Sequence, residues 1–155
     1  MNVRKAPRRT LNALKRLNDL RSLCDTGDAP VDLYELETRF SQEFQADQKL
    51  AVYGTLAPGR PNHHVIAPLG GEWFDGLVVC GERLAAGWGA QLGYPAIRYC
   101  PSGEDIPVHL LVSRELPHHW PRLDAFEGAE YRRILVPLFR NGNFVTVANL
   151  YEARN

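Results

Sequence analysis

The sequence predicts an α+β protein: a small mixed β-barrel flanked by short helices and preceded by a helical N-terminal extension. Three observations carry this. From residue 49 onward, short apolar runs alternate with Gly70-Gly71, Gly76, Gly81, Pro101 and Gly103, the texture of short strands joined by turns. Asn141-Gly142 stands between Ile134-Leu135-Val136-Pro137-Leu138-Phe139 and Phe144-Val145-Thr146-Val147, a strong hairpin signal. Residues 1–48 instead carry leucine and phenylalanine at helical spacing.

The extension, 1–48, reads as two short amphipathic helices. Leu11, Leu14, Leu17, Leu20 and Leu23 recur every three residues, a stripe that drifts around the helix. Cys24-Asp25-Thr26-Gly27-Asp28-Ala29-Pro30 breaks it. Asp32 and Glu35 then resemble a capping box, with Leu33, Leu36, Phe40 and Phe44 on one face of a second helix. The first helix is basic (Arg8, Arg9, Lys15, Arg16, Arg21) and the second acidic (Asp32, Glu35, Glu37, Glu43). Helices of opposite charge suit a hairpin packed on the main domain or on another subunit, so a homodimer through them is a reasonable expectation. The basic cluster could meet phosphates, but no aromatic residues interleave it, and nucleic acid is not expected.

The rest, 49–155, reads as one barrel domain, with strands expected at 49–53, 72–80, 94–100, 106–113, 133–140 and 144–152. A short helix is expected over Leu116 to Phe126. Lys+Arg and Asp+Glu both number 18, so net charge gives no reason to expect a polyanionic partner. No apolar run approaches the roughly 20 residues a membrane-spanning helix needs. The basic start is not followed by an apolar segment, so no secretory signal is expected. Cys24, Cys80 and Cys100 are scattered and suit free thiols in a reducing, cytoplasmic setting.

Two stretches could do chemistry. Leu50-Ala51-Val52-Tyr53 ends abruptly at Gly54, and Pro58-Gly59 forces a turn after Thr55-Leu56. A strand stopping at glycine offers backbone N–H groups that a ligand oxygen can approach closely. Downstream, Glu127 lies between Phe126 and Gly128 at the expected helix end. An apolar neighbour can raise a carboxylate's pKa and make it a general base near neutral pH; alternatively Glu127 is an ordinary helix-terminal glutamate. Asp124 is expected to anchor local backbone and Glu130 to face water. Tyr131 either packs with the barrel or hydrogen-bonds a substrate. Arg133 either holds a substrate carboxylate or makes a structural ion pair. His63-His64, His109 and His118-His119 lack metal-ligand spacing and read as polar loop histidines. No phosphate-binding loop, nucleophile elbow or dinucleotide fingerprint occurs.

With these residues in hand, 49–155 resembles the gamma-glutamylcyclotransferase-like family. The resemblance rests on Tyr53-Gly54-Thr55-Leu56 and on Glu127-Gly128 followed by Tyr131-Arg132-Arg133. Pro58-Gly59 with Asn62-His63, and Gly93-Tyr94-Pro95-Ala96, are secondary matches in the same order. Where the family often has a glycine in the strand before the helix, this chain has Val108-His109-Leu110-Leu111, and residues 1–48 lie outside the resemblance.

The resemblance implies a barrel with a cavity at one mouth and an intramolecular reaction, of transferase or lyase type. The α-amine of a small-molecule γ-glutamyl substrate attacks its own γ-carbonyl, releasing 5-oxoproline and an amine or amino acid. Glu127 would be the general acid/base, with Tyr53, Gly54, Thr55, Leu56, Tyr131 and Arg133 around the substrate. Neither metal nor cofactor is required. A non-catalytic small-ligand or partner-binding module keeping the same fold is the alternative.

Overall fold

The computed structural model describes residues 6–24, 30–84 and 96–154. Two helices come first, α1 (Arg8–Cys24) and α2 (Val31–Phe44). Six strands follow, β1 (Lys49–Val52), β2 (Glu72–Leu84), β3 (Ala96–Tyr99), β4 (Glu104–Val112), β5 (Tyr131–Arg140) and β6 (Asn143–Ala153). Helix α3 (Leu116–Glu127) stands between β4 and β5.

Five strands close a barrel in the order β2-β4-β1-β6-β5, and β5 returns to β2 through Val78 and Phe139. The β1–β6 pair is parallel and its neighbours antiparallel, so the barrel is mixed. Strand β3 takes the end of β2 beyond that closure. Alternate residues point inward, as a pleated strand requires. Leu77 and Val79, Val108 and Leu110, Val136 and Leu138 fill the interior from three strands.

Each hairpin and kink has a local cause. Asn141 (φ 52°) and Gly142 (φ 80°) both take the left-handed conformation, which the two-residue β5–β6 turn demands. In β2 the register slips between Phe74 and Leu77, where Gly76 sits at φ 80°. That strand runs to Leu84, past its expected end at 80, because β3 pairs with its last four residues. Pro137 lies inside β5 without breaking it. Its residue faces the edge that β2 reaches only at Phe139, where no ladder hydrogen bond is lost.

Outside the barrel the helices cover two patches. Helix α3 lays Leu116, Trp120 and Leu123 on Leu50, Leu111 and Tyr151. Helices α1 and α2 bury Leu14, Leu17, Leu33 and Phe40 against Leu135 and Val147 of β5 and β6. The leucine stripe drifts as expected: Leu14 and Leu17 are fully buried, whereas Leu23 is 61% exposed. The expected capping box does not form. Pro30 takes the N-cap without a side-chain hydrogen bond, so Asp32 falls inside the helix and pairs with Arg16 at 2.7 Å. Arg21–Glu37 at 2.7 Å is a second bridge between the helices, and Lys15–Asp19 a third ion pair within α1. Much of the basic cluster is therefore neutralised within the extension.

Candidate functional site

The strand β1 ends where Tyr53 turns inward. Its ring packs against the barrel interior, its hydroxyl donates to the Tyr151 carbonyl (2.7 Å), and the Ile97 N–H donates to it (3.3 Å). These bonds fix where the next three residues leave the barrel. The carbonyls of Gly54, Thr55 and Leu56 are then all tied back. Gly54 accepts from the Ala57 N–H, Thr55 from the Asn62 N–H, and Leu56 lies 2.9 Å from His63 Nδ1. Among the described residues, the N–H groups of Gly54, Thr55 and Leu56 donate no hydrogen bond. Among the described residues, a β-carbon placed on Gly54 would meet nothing within 4 Å. Among the described residues the turn therefore has three N–H donors unused, an arrangement suited to an oxygen bearing negative charge.

Glu127 closes α3. Gly128 (φ 78°) follows it and donates its N–H to the Asp124 carbonyl, ending the helix in a left-handed residue as glycine permits. The Glu127 side chain is buried, with 8% of the residue exposed. Burial first, and then the charge of Asp124, push its carboxyl up to about 7. Its place at a helix C-terminus acts in the same direction. Burial also raises the hydroxyls of Tyr53 and Tyr151, and in both cases the Glu127 charge adds to the effect. The carboxylate is thus within electrostatic reach of the turn after β1. Residues of the two stretches, Leu56 from one and Phe126 and Tyr131 from the other, share one hydrophobic cluster.

Behind Glu127 lies a polar network. Arg133 forks onto Asp124 (2.9 and 3.3 Å) and stacks over Trp120 at 4.4 Å. Of the two roles weighed for Arg133, the ion pair is present. Asp124 was expected to anchor backbone, but its carboxylate anchors side chains, also accepting from the Tyr151 hydroxyl at 2.6 Å. The reason is register: Arg133 and Tyr151 are paired across β5 and β6 and both face α3. Asn149 Oδ1 accepts from Arg133 (3.1 Å) and from Arg21 of α1 (2.9 Å). Arg21 in turn forks onto Glu37. Tyr131 is buried in the cluster beneath α3, while Glu130 is exposed. Sequence reasoning missed Tyr151, Asn149, Arg21 and Glu37, whose contacts span 16 to 128 residues.

The remaining candidates separate from this site. His109 lies on β4, beside Asp75, and His118 and His119 lie on α3, so these are not loop residues. The strand expected over 106–113 and the helix expected over Leu116 to Phe126 both form, and the histidines lie on them. No cluster able to hold a metal ion occurs among the described residues. Cys24, Cys80 and Cys100 are free. Among the described residues, no helix is long and apolar enough to cross a membrane. Gly93, Tyr94 and Pro95 lie outside the described residues.

The family described as gamma-glutamyl cyclotransferase, AIG2-like, matches residues 50–155, which contain both halves of the site. The chain belongs to this family. Among solved structures, the family member is similar to an AIG2-like protein from Mus musculus, with 24% identity and a TM-score of 0.51. The match covers 69% of this chain and 77% of the mouse one. It is also similar to YkqA from Bacillus subtilis, at 24% identity and a TM-score of 0.52 over 69% of this chain. It spans 36% of that protein's length. At this identity the likeness establishes the fold, a barrel with flanking helices. A comparison with curated proteins found no match. Both α1 and α2 precede the region the family covers.

Proposed function

We propose that this family member is a γ-glutamylcyclotransferase that releases 5-oxoproline, with Glu127 as general acid/base. The observation that carries the reading is a buried carboxyl raised to about 7, within electrostatic reach of a turn whose N–H groups donate to no described residue. A carboxylate poised near neutrality can both take and return a proton.

The chemistry follows from these parts. Glu127 removes a proton from the α-ammonium of the bound γ-glutamyl substrate. The freed amine attacks the γ-carbonyl carbon, and the oxygen takes the negative charge. The N–H groups of Gly54, Thr55 and Leu56 hold that oxyanion or the α-carboxylate, each oxyanion donor contributing about 3–4 kcal/mol in a dry site. The C–N bond to the leaving group then breaks as Glu127 returns its proton to the departing nitrogen. Because nucleophile and electrophile belong to one folded molecule, effective molarity lowers the barrier by several kcal/mol more. Tyr53 and Tyr131 wall the site, and Arg133 keeps Asp124 beside the base. The free thiols suit a reducing compartment, and we place the protein in the cytoplasm.

The test is 5-oxoproline release from γ-glutamyl amino acids, γ-glutamyl amines and glutathione, with Glu127→Gln as control. Release that survives in the folded variant would overturn the assignment of the base.

A further inference from the structure

His63 and His64 are neighbours with different reach. The exposed His64 sets Nδ1 3.2 Å from the Pro61 carbonyl, three residues back in its own loop. The half-buried His63 sets Nδ1 2.9 Å from the Leu56 carbonyl, in the turn after β1. A carbonyl oxygen only accepts, so His63 Nδ1 carries the proton and donates. The His63 ring lies against Trp73 of β2, with centroids 5.5 Å apart, and Trp73 packs on the cluster beneath α3. The imidazole is thus braced between the barrel wall and the turn.

A trans peptide unit is planar and points its C=O and its N–H in opposite directions, so fixing one aims the other. The Leu56 carbonyl belongs to the same unit as the Ala57 N–H, which donates to the Gly54 carbonyl at 3.1 Å. The Gly54 carbonyl in turn shares its unit with the Thr55 N–H, which donates to no described residue. Two peptide units therefore connect the imidazole to the Thr55 N–H. The Leu56 N–H is aimed separately, because the Thr55 carbonyl in its unit accepts from the Asn62 N–H at 2.9 Å. Leu56 and Ala57 are both buried, which leaves water little room to stand in for His63.

We propose that His63 is the positioning residue of this turn: through the Leu56–Ala57 peptide it aims the Thr55 N–H at the substrate oxygen. This rests on the cyclotransferase reading, in which the turn holds an oxyanion or a carboxylate. His63 itself touches no reacting atom. It donates from Nδ1 whether Nε2 is bare or protonated, so its hold on Leu56 persists on both sides of the imidazole titration. Its contribution is one of direction, not of charge.

The experiment begins with the full native chain, its histidine rings labelled with nitrogen-15, and reads the tautomer by magnetic resonance. The neutral His63 ring should carry its proton on Nδ1; a proton on Nε2 would overturn the proposal. His63→Asn and His63→Leu then make a matched pair, close in shape, of which only asparagine offers an N–H near the place of Nδ1. Both lose the imidazole contact with Trp73, so a purely structural role would affect them alike. Exchange of the Ala57 amide hydrogen should be about tenfold faster or more in His63→Leu than in His63→Asn, since the freed peptide unit no longer holds that N–H on Gly54. For 5-oxoproline release from γ-glutamylalanine, kcat/KM should fall by about tenfold or more in His63→Leu and stay within about threefold of native in His63→Asn. Equal exchange in the two variants would overturn the proposal, as would equal turnover. Exchange that separates the variants, without 5-oxoproline release from the native chain, would instead overturn the reaction and leave the tie between His63 and the turn standing.

Discussion

Glu127 and Glu152 are both buried, and both act on the hydroxyl of Tyr53, yet the two ends of this small region treat a carboxylate in opposite ways. Glu152, next to the last residue of β6, accepts from Arg132 Nε at 2.7 Å and from the Tyr99 N–H at 2.9 Å. A guanidinium and a backbone N–H thus satisfy its oxygens. At Glu127, burial and the neighbouring Asp124 both favour the neutral form. Asp124 already has Arg133 and Tyr151 for itself. The difference teaches that burial alone does not mark a reactive carboxylate. What marks it is a surrounding that opposes its charge, because such a group moves protons near neutral pH.

The largest expected effect is on turnover. Glu127→Gln should lower 5-oxoproline release by about a thousandfold with the fold retained, within the range general acid–base catalysis supplies. A loss as large in Glu152→Gln, measured at equal folded fraction, would break the contrast.

Next comes stability, where the same substitution should act with opposite sign at the two sites. Glu127 has a folded pKa of about 7 against an ordinary value of 4.5. The folded state therefore holds the extra proton between those values, and stability falls as pH rises through them. Above pH 7 the penalty is complete, at up to about 3 kcal/mol. Glu127→Gln should remove it, raising the denaturant midpoint at pH 8 and changing little at pH 4. Glu152→Gln should instead destabilise by about 2 kcal/mol. That is less than the loss of a fully buried partner, because Arg132 is partly exposed.

The smallest effect sharpens the cause. The kcat/KM profile should rise through an apparent pKa near 7. Asp124→Asn should move that limb to lower pH by less than one unit, since burial is the larger influence. A shift upward would mean that Asp124 supports the charge on Glu127 rather than opposing it.

Much of the fold was legible because it is written locally. The Asn141-Gly142 turn, the Leu50–Val52 strand and the helix ending at Gly128 each depend on a few adjacent residues. The ends of β2 were less so, since Gly81 to Leu84 become strand by pairing with β3, a partner distant in sequence. Asp32 misled because an acidic residue three before Glu35 looks like a cap, while Pro30 had already started the helix. At the site, Glu127 and the Gly54 turn were visible as motifs. The network from Asp124 through Arg133 and Asn149 to Arg21 was not, because strand register brings those groups together and no short spacing encodes register.

Asn18 of α1 donates to the Leu135 carbonyl and accepts from the Leu135 N–H, and Arg21 donates to the Arg133 carbonyl. A helix thus offers side chains where a neighbouring strand would offer its backbone, along the part of β5 that β2 does not reach. Without α1, that row of main-chain groups would be open to any passing strand, including one from another copy. A shortened chain beginning near residue 49 should therefore fail in the test tube by clumping before it fails by losing its barrel. The extension thus shields an open strand edge as well as the apolar patch beneath it.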